Sequence, residues 1–233
     1  IEDACHALGA KYSIKKNYKV GNCKFSDIAT FSFHPVKTIT TGEGGMVTTS
    51  NKSLFNRIKI LKNHGIIRNK TTNKNYSWYY NVFIPGFNYR LSDINCALGF
   101  SQLKKIDKII LKRRKIALYY NKELDNYCNV IKTPSVKTNQ LSAWHLYILN
   151  INFKKLKIDR KGFINKLYKK GIITQVHYIP TFKQPAFKNL KKGLYKNAIS
   201  YYSSCLSLPI FYDLEIKKVR YVIKIVKSLI KKY

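Results

Sequence analysis

The chain has 233 residues, of which 45% are hydrophobic, and this is enough apolar material for a core in one or two domains. Its formal net charge of +33 is high enough to suggest a nucleic-acid-binding protein. However, 37 of the 44 basic residues are lysines scattered over the whole length, whereas nucleic-acid readers rely on arginine. The scattered lysines indicate that the high charge comes from a drift in codon usage. A basic polyanion-binding protein is the alternative.

The cysteines and the apolar runs exclude further classes of protein. Five cysteines without a CxxC pair indicate neither a metal site nor a disulfide framework, and they fit a reducing, cytoplasmic compartment. There is no apolar run of about 18 residues, so no membrane span is predicted. The chain begins with Ile1 and its only methionine is Met46. We therefore expect it to be processed or incomplete, and a targeting signal cannot be judged.

The first fifty residues have the pattern of short strand and helix pieces. Glu2-Asp3 is predicted to end a strand, with Ala4–Leu8 following as a short helix or loop. The run Ile28–Phe31 is rich in β-forming residues and predicts a second strand. Gly42–Gly45 matches neither GxGxxG nor a P-loop. We interpret these glycines as a tight turn with positive φ angles that leads into a strand over Met46–Thr49.

The next segment is predicted to be mainly helical. Asn51–His64 has apolar residues at helical spacing, and Gly65 is typical of a helix end. The polar segment Asn69–Tyr80 reads as a loop. Ser92 is a good N-cap for one long helix that runs to about Leu124. Within it, Arg113-Arg114 is expected to be exposed.

The last third alternates shorter elements, which indicates a small α/β domain. Ala143–Leu149 is a strand candidate. Asp159 is predicted to cap a helix that runs through Leu167 and is stopped by Gly171. Apolar residues from Ile216 to Ile230 recur at spacings of three and four, which predicts a terminal amphipathic helix.

Five segments, taken in chain order, resemble the DegT/DnrJ/EryC1/StrS family of sugar-nucleotide aminotransferases. They are Glu2–Ala10, Phe31–Lys37 with Gly42–Gly45, Pro85–Asn95, Gly171–Pro180 and Ser207–Pro209. Within the family, the residues of these segments are most similar to those of the enzymes that aminate a UDP-linked 4-keto-6-deoxy sugar on the way to pseudaminic acid. The resemblance covers nearly the whole chain. It implies an α/β fold, namely the C-terminal part of a fold-type-I transferase that depends on pyridoxal 5′-phosphate.

The resemblance also implies a domain division and a cofactor site. Residues 1–112 would be the C-terminal part of the cofactor-binding large domain, and 113–233 a small α/β domain. Lys37 would bind the cofactor covalently and then move the proton as general acid and base, for which it must be a neutral amine. Asp3 would keep the pyridinium nitrogen protonated, because the protonated ring is the electron sink. The alternatives are a solvated surface charge for Lys37 and a helix N-cap for Asp3.

Two more residues are assigned to the cofactor by resemblance. Ser32 would donate to the cofactor phosphate, as hydroxyl groups at turn ends commonly do. His6 would lie near the phenolic oxygen of the ring, where the family carries Gln or His. Each has an ordinary alternative. Ser32 is then a strand serine, and His6 is a core or surface histidine.

The remaining implied residues concern the partner subunit and the substrate. Asn88 and Arg90 would reach the cofactor phosphate of the partner, which implies a homodimer with shared active sites; their alternative is a surface turn before a helix. His177 and Tyr178 would lie near the nucleotide-sugar substrate; their alternative is an ordinary strand that ends at a proline. Glutamate is the amino donor expected by resemblance. No metal and no specific nucleic acid are expected.

Relatives in this family carry a long amino-terminal portion before the segment that resembles Glu2–Ala10. That portion holds a Gly-Thr turn for the cofactor phosphate and an aromatic residue that stacks on the ring. We therefore expect this chain to be inactive by itself, and a non-catalytic truncated remnant is the alternative. The family also has a dehydratase branch in which histidine replaces the lysine, and Lys37 argues against it.

Overall fold

The computed structural model describes residues 1–68, 78–187, 189 and 195–231. The chain divides into two compact units. Unit 1 comprises residues 1–107 and 139–141, and unit 2 comprises 108–138 and 142–233. Both contain strands and helices, which confirms the predicted α/β class. The assignment of 1–112 to cofactor binding and of 113–233 to a small domain stays a prediction.

Unit 1 is built around a three-stranded sheet with β4 in the middle. β1 pairs parallel with β4, so that Asp3 lies beside Thr30, and β5 pairs antiparallel with β4. The predicted strands at Glu2-Asp3, at 28–31 and at 46–49 are confirmed to within one residue at each end. The strands described in unit 1 are β1 (Glu2–Asp3), β2 (Lys11–Ser13), β3 (Tyr18–Lys19), β4 (Ala29–Ser32), β5 (Gly45–Thr48), β6 (Ile66–Ile67) and β7 (Asn81–Val82).

The glycines between β4 and β5 form the tight turn that the sequence predicts. Gly42 and Gly44 have φ values of +81° and +151°, which side chains rarely adopt. The N–H of Phe33 donates to the carbonyl of Gly44 at 2.8 Å and so closes the base of the loop. A Cβ atom on Gly45 would come within 2.6 Å of the Phe31 carbonyl oxygen, so glycine is also needed where the two strands first pair.

Helix α1 (Lys52–Leu61) begins as predicted and ends earlier than predicted. The side chain of Asn51 accepts hydrogen bonds from the N–H groups of Ser53 and Leu54, which satisfies two of the free donors at the helix start. The predicted end at His64 is three residues late. His64 and Gly65 both have positive φ and lie in the turn after the helix.

The single long helix predicted after Ser92 is wrong, because the structure has two helices there. Ser92 does cap α2 (Asp93–Leu103), since its side chain accepts from the N–H of Asn95. α3 (Ile106–Leu124) then begins after a break at Lys104-Lys105. The break contains no glycine or proline, so the sequence carried no signal for it.

The expectation that Arg113 is exposed is also wrong. Arg113 is only 5% exposed. Its guanidinium group donates to the carbonyl oxygens of Trp144, His145 and Ile210 at 3.1–3.2 Å. Burial lowers the pKa of this group. Three backbone acceptors inside unit 2 compensate for part of the water that Arg113 loses, and a sequence pattern cannot show them.

Unit 2 contains an antiparallel sheet in the order β10-β9-β8. Asp159 caps α4 by accepting from the N–H of Gly162 at 2.7 Å, and Gly171 follows with a φ of +72°, as predicted. The strand predicted over 143–149 is observed later, as β9. The elements of unit 2 besides α3 are β8 (Ile131–Lys132), β9 (Tyr147–Ile151), α4 (Arg160–Tyr168), α5 (Lys196–Ser204), β10 (Cys205–Leu208) and α6 (Ile216–Ile230).

The main hydrophobic core lies in unit 2. α6, predicted over the same residues, buries Val219, Val222 and Val226 there. The sheet adds Leu149 and Leu206, which are fully buried. Most of the regularly spaced apolar residues in the last third of the sequence therefore pack into one core.

No helix in the described part of the chain combines the length and the apolar character needed to cross a membrane. Within the same residues, no group of three or more His, Cys, Asp or Glu side chains could hold a metal ion. The loop predicted over 69–80 lies mostly outside the described residues.

Candidate active site

Asp3 ends β1, and its carboxylate closes a local turn. The Oδ1 atom of Asp3 accepts from the backbone N–H of Cys5 at 3.0 Å. The chain then turns through Ala4–Leu8 without forming a helix. The alternative of a helix N-cap is therefore wrong, although the contact is of the local kind that makes aspartate common in turns.

The surroundings of Asp3 keep its carboxylate ionised. Hydrogen bonds from the thiol and the backbone N–H of Cys5 lower the pKa of Asp3, and the charges of His6 and Lys37 lower it further. Burial raises the pKa by more than either charge lowers it, but the hydrogen bonds from Cys5 outweigh burial, so the net direction is downward. Three of the predicted cofactor residues, Asp3, His6 and Lys37, thus lie in one electrostatic neighbourhood in unit 1.

Cys5 belongs to this neighbourhood, and the sequence reasoning missed it. Burial raises the pKa of the Cys5 thiol, and its hydrogen bond with Asp3 raises it further. Both effects favour the protonated thiol, whose Sγ atom lies 4.0 Å from the carbonyl oxygen of Thr30. The available signal was its position two residues after an aspartate at a strand end, where a side-chain turn is common.

Lys37 lies in the loop between β4 and β5, which also holds Ser32 at its start. Its backbone N–H donates to the carbonyl of His34 at 2.9 Å, and the residue is half-buried. Ser32 is the last residue of β4, and its hydroxyl oxygen accepts from the N–H of His34 at 3.4 Å. Ser32 and Lys37 are thus positioned by the same turn at the end of the strand next to Asp3.

Helix α2 supports this loop through side chains that the sequence reasoning did not single out. Gln102 bonds to both backbone groups of Thr40, and Asn95 donates to the carbonyl of Thr41. The sequence does not show which loop residues these side chains contact, because the contacts join positions far apart in the chain. It shows only that Asn95 and Gln102 lie on one side of a predicted helix.

Asn88 and Arg90 lie elsewhere in unit 1. Both contact Asn63: the Nη1 atom of Arg90 donates to its side-chain oxygen at 2.9 Å, and Asn88 forms an isolated backbone bridge with it. Both residues are exposed. Among the described hydrogen bonds, neither side chain bonds to Lys37 or Asp3.

His177 and Tyr178 lie side by side in unit 2. The Nδ1 atom of His177 is 2.7 Å from the hydroxyl oxygen of Ser207, and the ring of Tyr178 contacts the imidazole edge-on at 4.6 Å between centroids. Gln175 exchanges backbone hydrogen bonds with Ser207 in both directions. The segment forms only this isolated bridge, so the alternative of an ordinary strand is wrong. Ser207 was noted in the sequence only as part of a motif.

Unit 1 also has a large open groove of about 1050 Å³. Its walls come from β4, β5, α1 and the segment that carries Arg90. Most of the lining is apolar, and several lining side chains are about half exposed. The residues that line the groove include Phe31, Met46, Phe55, Ile58, Phe87 and Arg90.

The sequence profile of the DegT/DnrJ/EryC1/StrS aminotransferase family matches residues 1–227. The chain belongs to this family. The family predicted from the five motif segments is therefore confirmed.

Individual relatives in the family sharpen this result. The UDP-4-amino-4,6-dideoxy-N-acetyl-beta-L-altrosamine transaminase of Campylobacter jejuni strain 81-176 is 38% identical over 235 residues, which cover 100% of this chain and 58% of the relative. The solved structure of Helicobacter pylori PseC, an aminotransferase involved in the biosynthesis of pseudoaminic acid, matches with a TM-score of 0.87 at 32% identity. It covers 99% of this chain and 59% of that one. The chain thus spans less than two thirds of the length of both relatives.

Pyridoxal phosphate is confirmed as the cofactor of the family. The Streptococcus pneumoniae protein Spr1654, solved in its PLP form, matches with a TM-score of 0.86 at 28% identity over 99% of this chain and 57% of that one. The residues of unit 1 suit such a group. An ionised carboxylate at Asp3 complements a protonated ring nitrogen, the amine of Lys37 complements an aldehyde, and the hydroxyl of Ser32 complements a phosphate.

Proposed function

We propose that this chain carries the C-terminal portion of a PLP-dependent aminotransferase that transfers an amino group to a nucleotide-linked 4-keto-6-deoxy sugar in surface-glycan biosynthesis. The observation that carries the proposal is the pairing of β1 with β4, which places Asp3 beside the strand that leads into the loop of Lys37. The charge of Lys37 also makes a small contribution to the lowered pKa of Asp3. This cofactor chemistry requires both an acid that stays ionised for the ring nitrogen and an amine for the aldehyde.

Lys37 and Asp3 are the central residues of the proposed site. Lys37 would hold the cofactor covalently, and its amine would accept and return the proton that the transfer requires. Asp3 holds the proton on the ring nitrogen. Its hydrogen bonds from Cys5 support this role, because they keep the carboxylate anionic and oriented. Pyridoxal phosphate, when bound, supplies the electron sink for the transfer.

Ser32 and His6 complete the part of the cofactor site that this chain supplies. Ser32 donates its hydroxyl proton to the cofactor phosphate, which its position at the end of β4 supports. His6 lies beside the ring oxygen. Its charge acts on Asp3, which supports a place within the same site.

Asn88 and Arg90 serve the cofactor phosphate of a partner subunit in a homodimer. Two observations support this assignment. Both residues are exposed, and both are joined to Asn63 instead of the cofactor residues of their own chain. An exposed arginine held by one neutral acceptor keeps donors available for a phosphate.

His177 and Tyr178 contact the nucleotide-sugar substrate. The hydrogen bond between Ser207 and His177 orients the imidazole ring, and Tyr178 keeps 59% of its surface exposed for a ligand. The names of the Campylobacter and Helicobacter relatives support a UDP-linked amino sugar of the pseudaminic acid route. Glutamate is the proposed amino donor, and a cytoplasmic location goes with these soluble precursors.

The chain by itself is proposed to be inactive. The groove of unit 1 exposes apolar side chains of β5 and α1, and α1, which is described along its whole length, buries none of its residues. About two fifths of each relative's length lies outside the part that this chain spans. That additional polypeptide covers the groove and supplies the rest of the cofactor and substrate contacts. Stoichiometric, catalytically competent cofactor binding by residues 1–233 alone would refute this part of the proposal.

The assignment of Lys37 is tested by chemical trapping. The chain is incubated with pyridoxal phosphate and reduced with borohydride, and the labelled lysines are then mapped by mass spectrometry. We expect Lys37 to be labelled faster than Lys24, a lysine of the same unit that is exposed. In a protein extended to the length of the relatives, Lys37→Ala should lower turnover by about 10²–10⁴-fold or more and remove the visible cofactor band.

The matched control for this experiment is Lys24→Ala, which should leave both the band and the turnover unchanged. Labelling that follows exposure alone, with Lys37 no faster than Lys24, would contradict the assignment. So would a visible band that persists in Lys37→Ala.

A further inference from the structure

One side of helix α2 contacts the far end of the loop that carries Lys37. The side-chain Oε1 of Gln102 accepts from the N–H of Thr40 at 3.3 Å, and its Nε2 donates to the carbonyl of Thr40 at 3.1 Å. A single side chain thus binds both backbone groups of one loop residue. This arrangement fixes the peptide plane as well as its distance from the helix.

Two further residues on the same side of α2 contact the loop. Asn95, Gly99 and Gln102 are spaced by four and three positions, which places them in one row along a helix. The Nδ2 atom of Asn95 donates to the carbonyl of Thr41. A Cβ atom on Gly99 would come within 2.6 Å of the Cγ2 of Thr41, so the absence of a side chain lets the loop lie directly on the helix.

The loop itself is closed by Thr40 and Thr41. The hydroxyl of Thr40 donates to the carbonyl of Phe33 at 2.9 Å and accepts from the N–H of Gly42 at 2.9 Å. The N–H of Thr41 donates to the same Phe33 carbonyl at 3.0 Å. In the chain, Lys37 lies between Phe33 and Thr40, the two residues that these hydrogen bonds join. Any movement of Thr40 therefore changes the path of the backbone on which Lys37 sits.

We propose that Gln102 is a positioning residue for Lys37. This inference rests on the proposed function of Lys37. Gln102, helped by Asn95, holds the Thr40–Thr41 end of the loop against α2 and so fixes the backbone from which the flexible lysine side chain extends. Catalytic groups that are misplaced by about 1 Å can lose a factor of about 10² in rate, so rigid backbone support of this kind matters for the reaction.

The test uses two substitutions and a matched control in the 233-residue chain. Gln102→Ala removes both hydrogen bonds, whereas Gln102→Glu keeps an acceptor for the Thr40 N–H and loses the donor. The control is Gln140→Ala, which changes an exposed glutamine of unit 1. The first readout is amide hydrogen exchange at Thr40 without cofactor. The second is the rate at which borohydride traps pyridoxal phosphate on Lys37.

In Gln102→Ala we expect the Thr40 amide to exchange about tenfold faster and trapping on Lys37 to slow by a similar factor, the change expected for the loss of two ordinary hydrogen bonds. Gln102→Glu should be intermediate in both readouts, and Gln140→Ala should match the wild type. Exchange of amides in β9 should be unchanged in all three variants.

Unchanged exchange at Thr40 in Gln102→Ala would overturn the proposal, and so would faster exchange with unchanged trapping on Lys37. If Gln102→Ala does not fold, Gln102→Glu decides by the same two criteria. Failure of the underlying function is recognised separately, because Lys37 would then be trapped no faster than Lys24 in the wild type itself.

Discussion

The two units of this chain bury their apolar residues very differently. In unit 2, a cluster of 23 buried residues from α3, the sheet, α4 and α6 forms one continuous core. In unit 1, the buried apolar residues are few, and half of those described are alanines: Ala4, Ala10, Ala29, Phe31, Phe33 and Ile39.

The large apolar side chains of unit 1 lie mostly on its surface. Phe55, Phe87 and Phe100 are 49–62% exposed, and the first two line the open groove. Large contiguous apolar surfaces on proteins mark interaction sites or ligand-binding grooves. Unit 2 also has more charge, with 28 basic and five acidic residues against 16 and six in unit 1. The comparison teaches that the unit with the proposed cofactor residues is the one that leaves large apolar side chains uncovered among the residues that the structure describes.

The largest effect should appear when the two units are separated. We expect residues 106–233 to unfold cooperatively in urea and to bind little of a hydrophobic dye, because their core is closed. We expect residues 1–105 to show a broad transition and strong dye binding. Circular dichroism and dye fluorescence measure both. A sharp transition for 1–105 together with a dye-binding, non-cooperative 106–233 would reverse the comparison.

A pair of leucine substitutions measures the same contrast inside the intact chain. Leu206 is fully buried in unit 2, and Leu103 of unit 1 is 41% exposed. Leu206→Ala should lower the free energy of unfolding by about 2–5 kcal/mol, because it removes buried methyl groups and leaves a cavity. Leu103→Ala should change it by less than about 1 kcal/mol. Urea titration of the intact chain, followed by circular dichroism, is the measurement for both substitutions. Equal effects of the two substitutions on the whole chain would argue against a core confined to unit 2.

The smallest effect concerns the charges of unit 1, and Cys5 reports them. Asp3 raises the pKa of the Cys5 thiol, whereas Lys37 lowers it. Asp3→Asn should therefore increase the thiolate fraction at pH 8 and speed alkylation of Cys5 by about threefold, and Lys37→Ala should slow it. Peptide mapping separates Cys5 from Cys23, which lies in the same unit and serves as the internal reference.

The direction of this effect follows from the charges of the neighbouring side chains. A negative neighbour disfavours a second negative charge, so its removal favours the thiolate, and loss of a positive neighbour does the opposite. Alkylation of Cys5 that responds to neither substitution would mean that Asp3 and Lys37 do not share an electrostatic neighbourhood. The proposed function would then lose its electrostatic support.

Much of this protein could be predicted from local sequence, because the interactions involved lie within a few residues of one another. The caps at Ser92 and Asp159, the glycine turn before β5 and the apolar spacing of α6 all depend on near neighbours in the chain. The family was predictable for a related reason, since its motif segments are short and occur in a fixed order. The candidate residues Asp3, Ser32 and Lys37 were found in those segments.

Tertiary structure decided the features that depend on residues far apart in sequence. The break at Lys104-Lys105 and the burial of Arg113 have no local signal. Thr40 and Gln102 are 62 positions apart, yet they form the contact that supports the lysine loop. The shared surroundings of Asp3 and Lys37 likewise arise because β1 pairs with β4. Local sequence specifies the helices and strands. The tertiary pairing of these elements decides which polar groups are buried and which charged groups lie close together. Burial and neighbouring charges in turn determine the chemistry of the site.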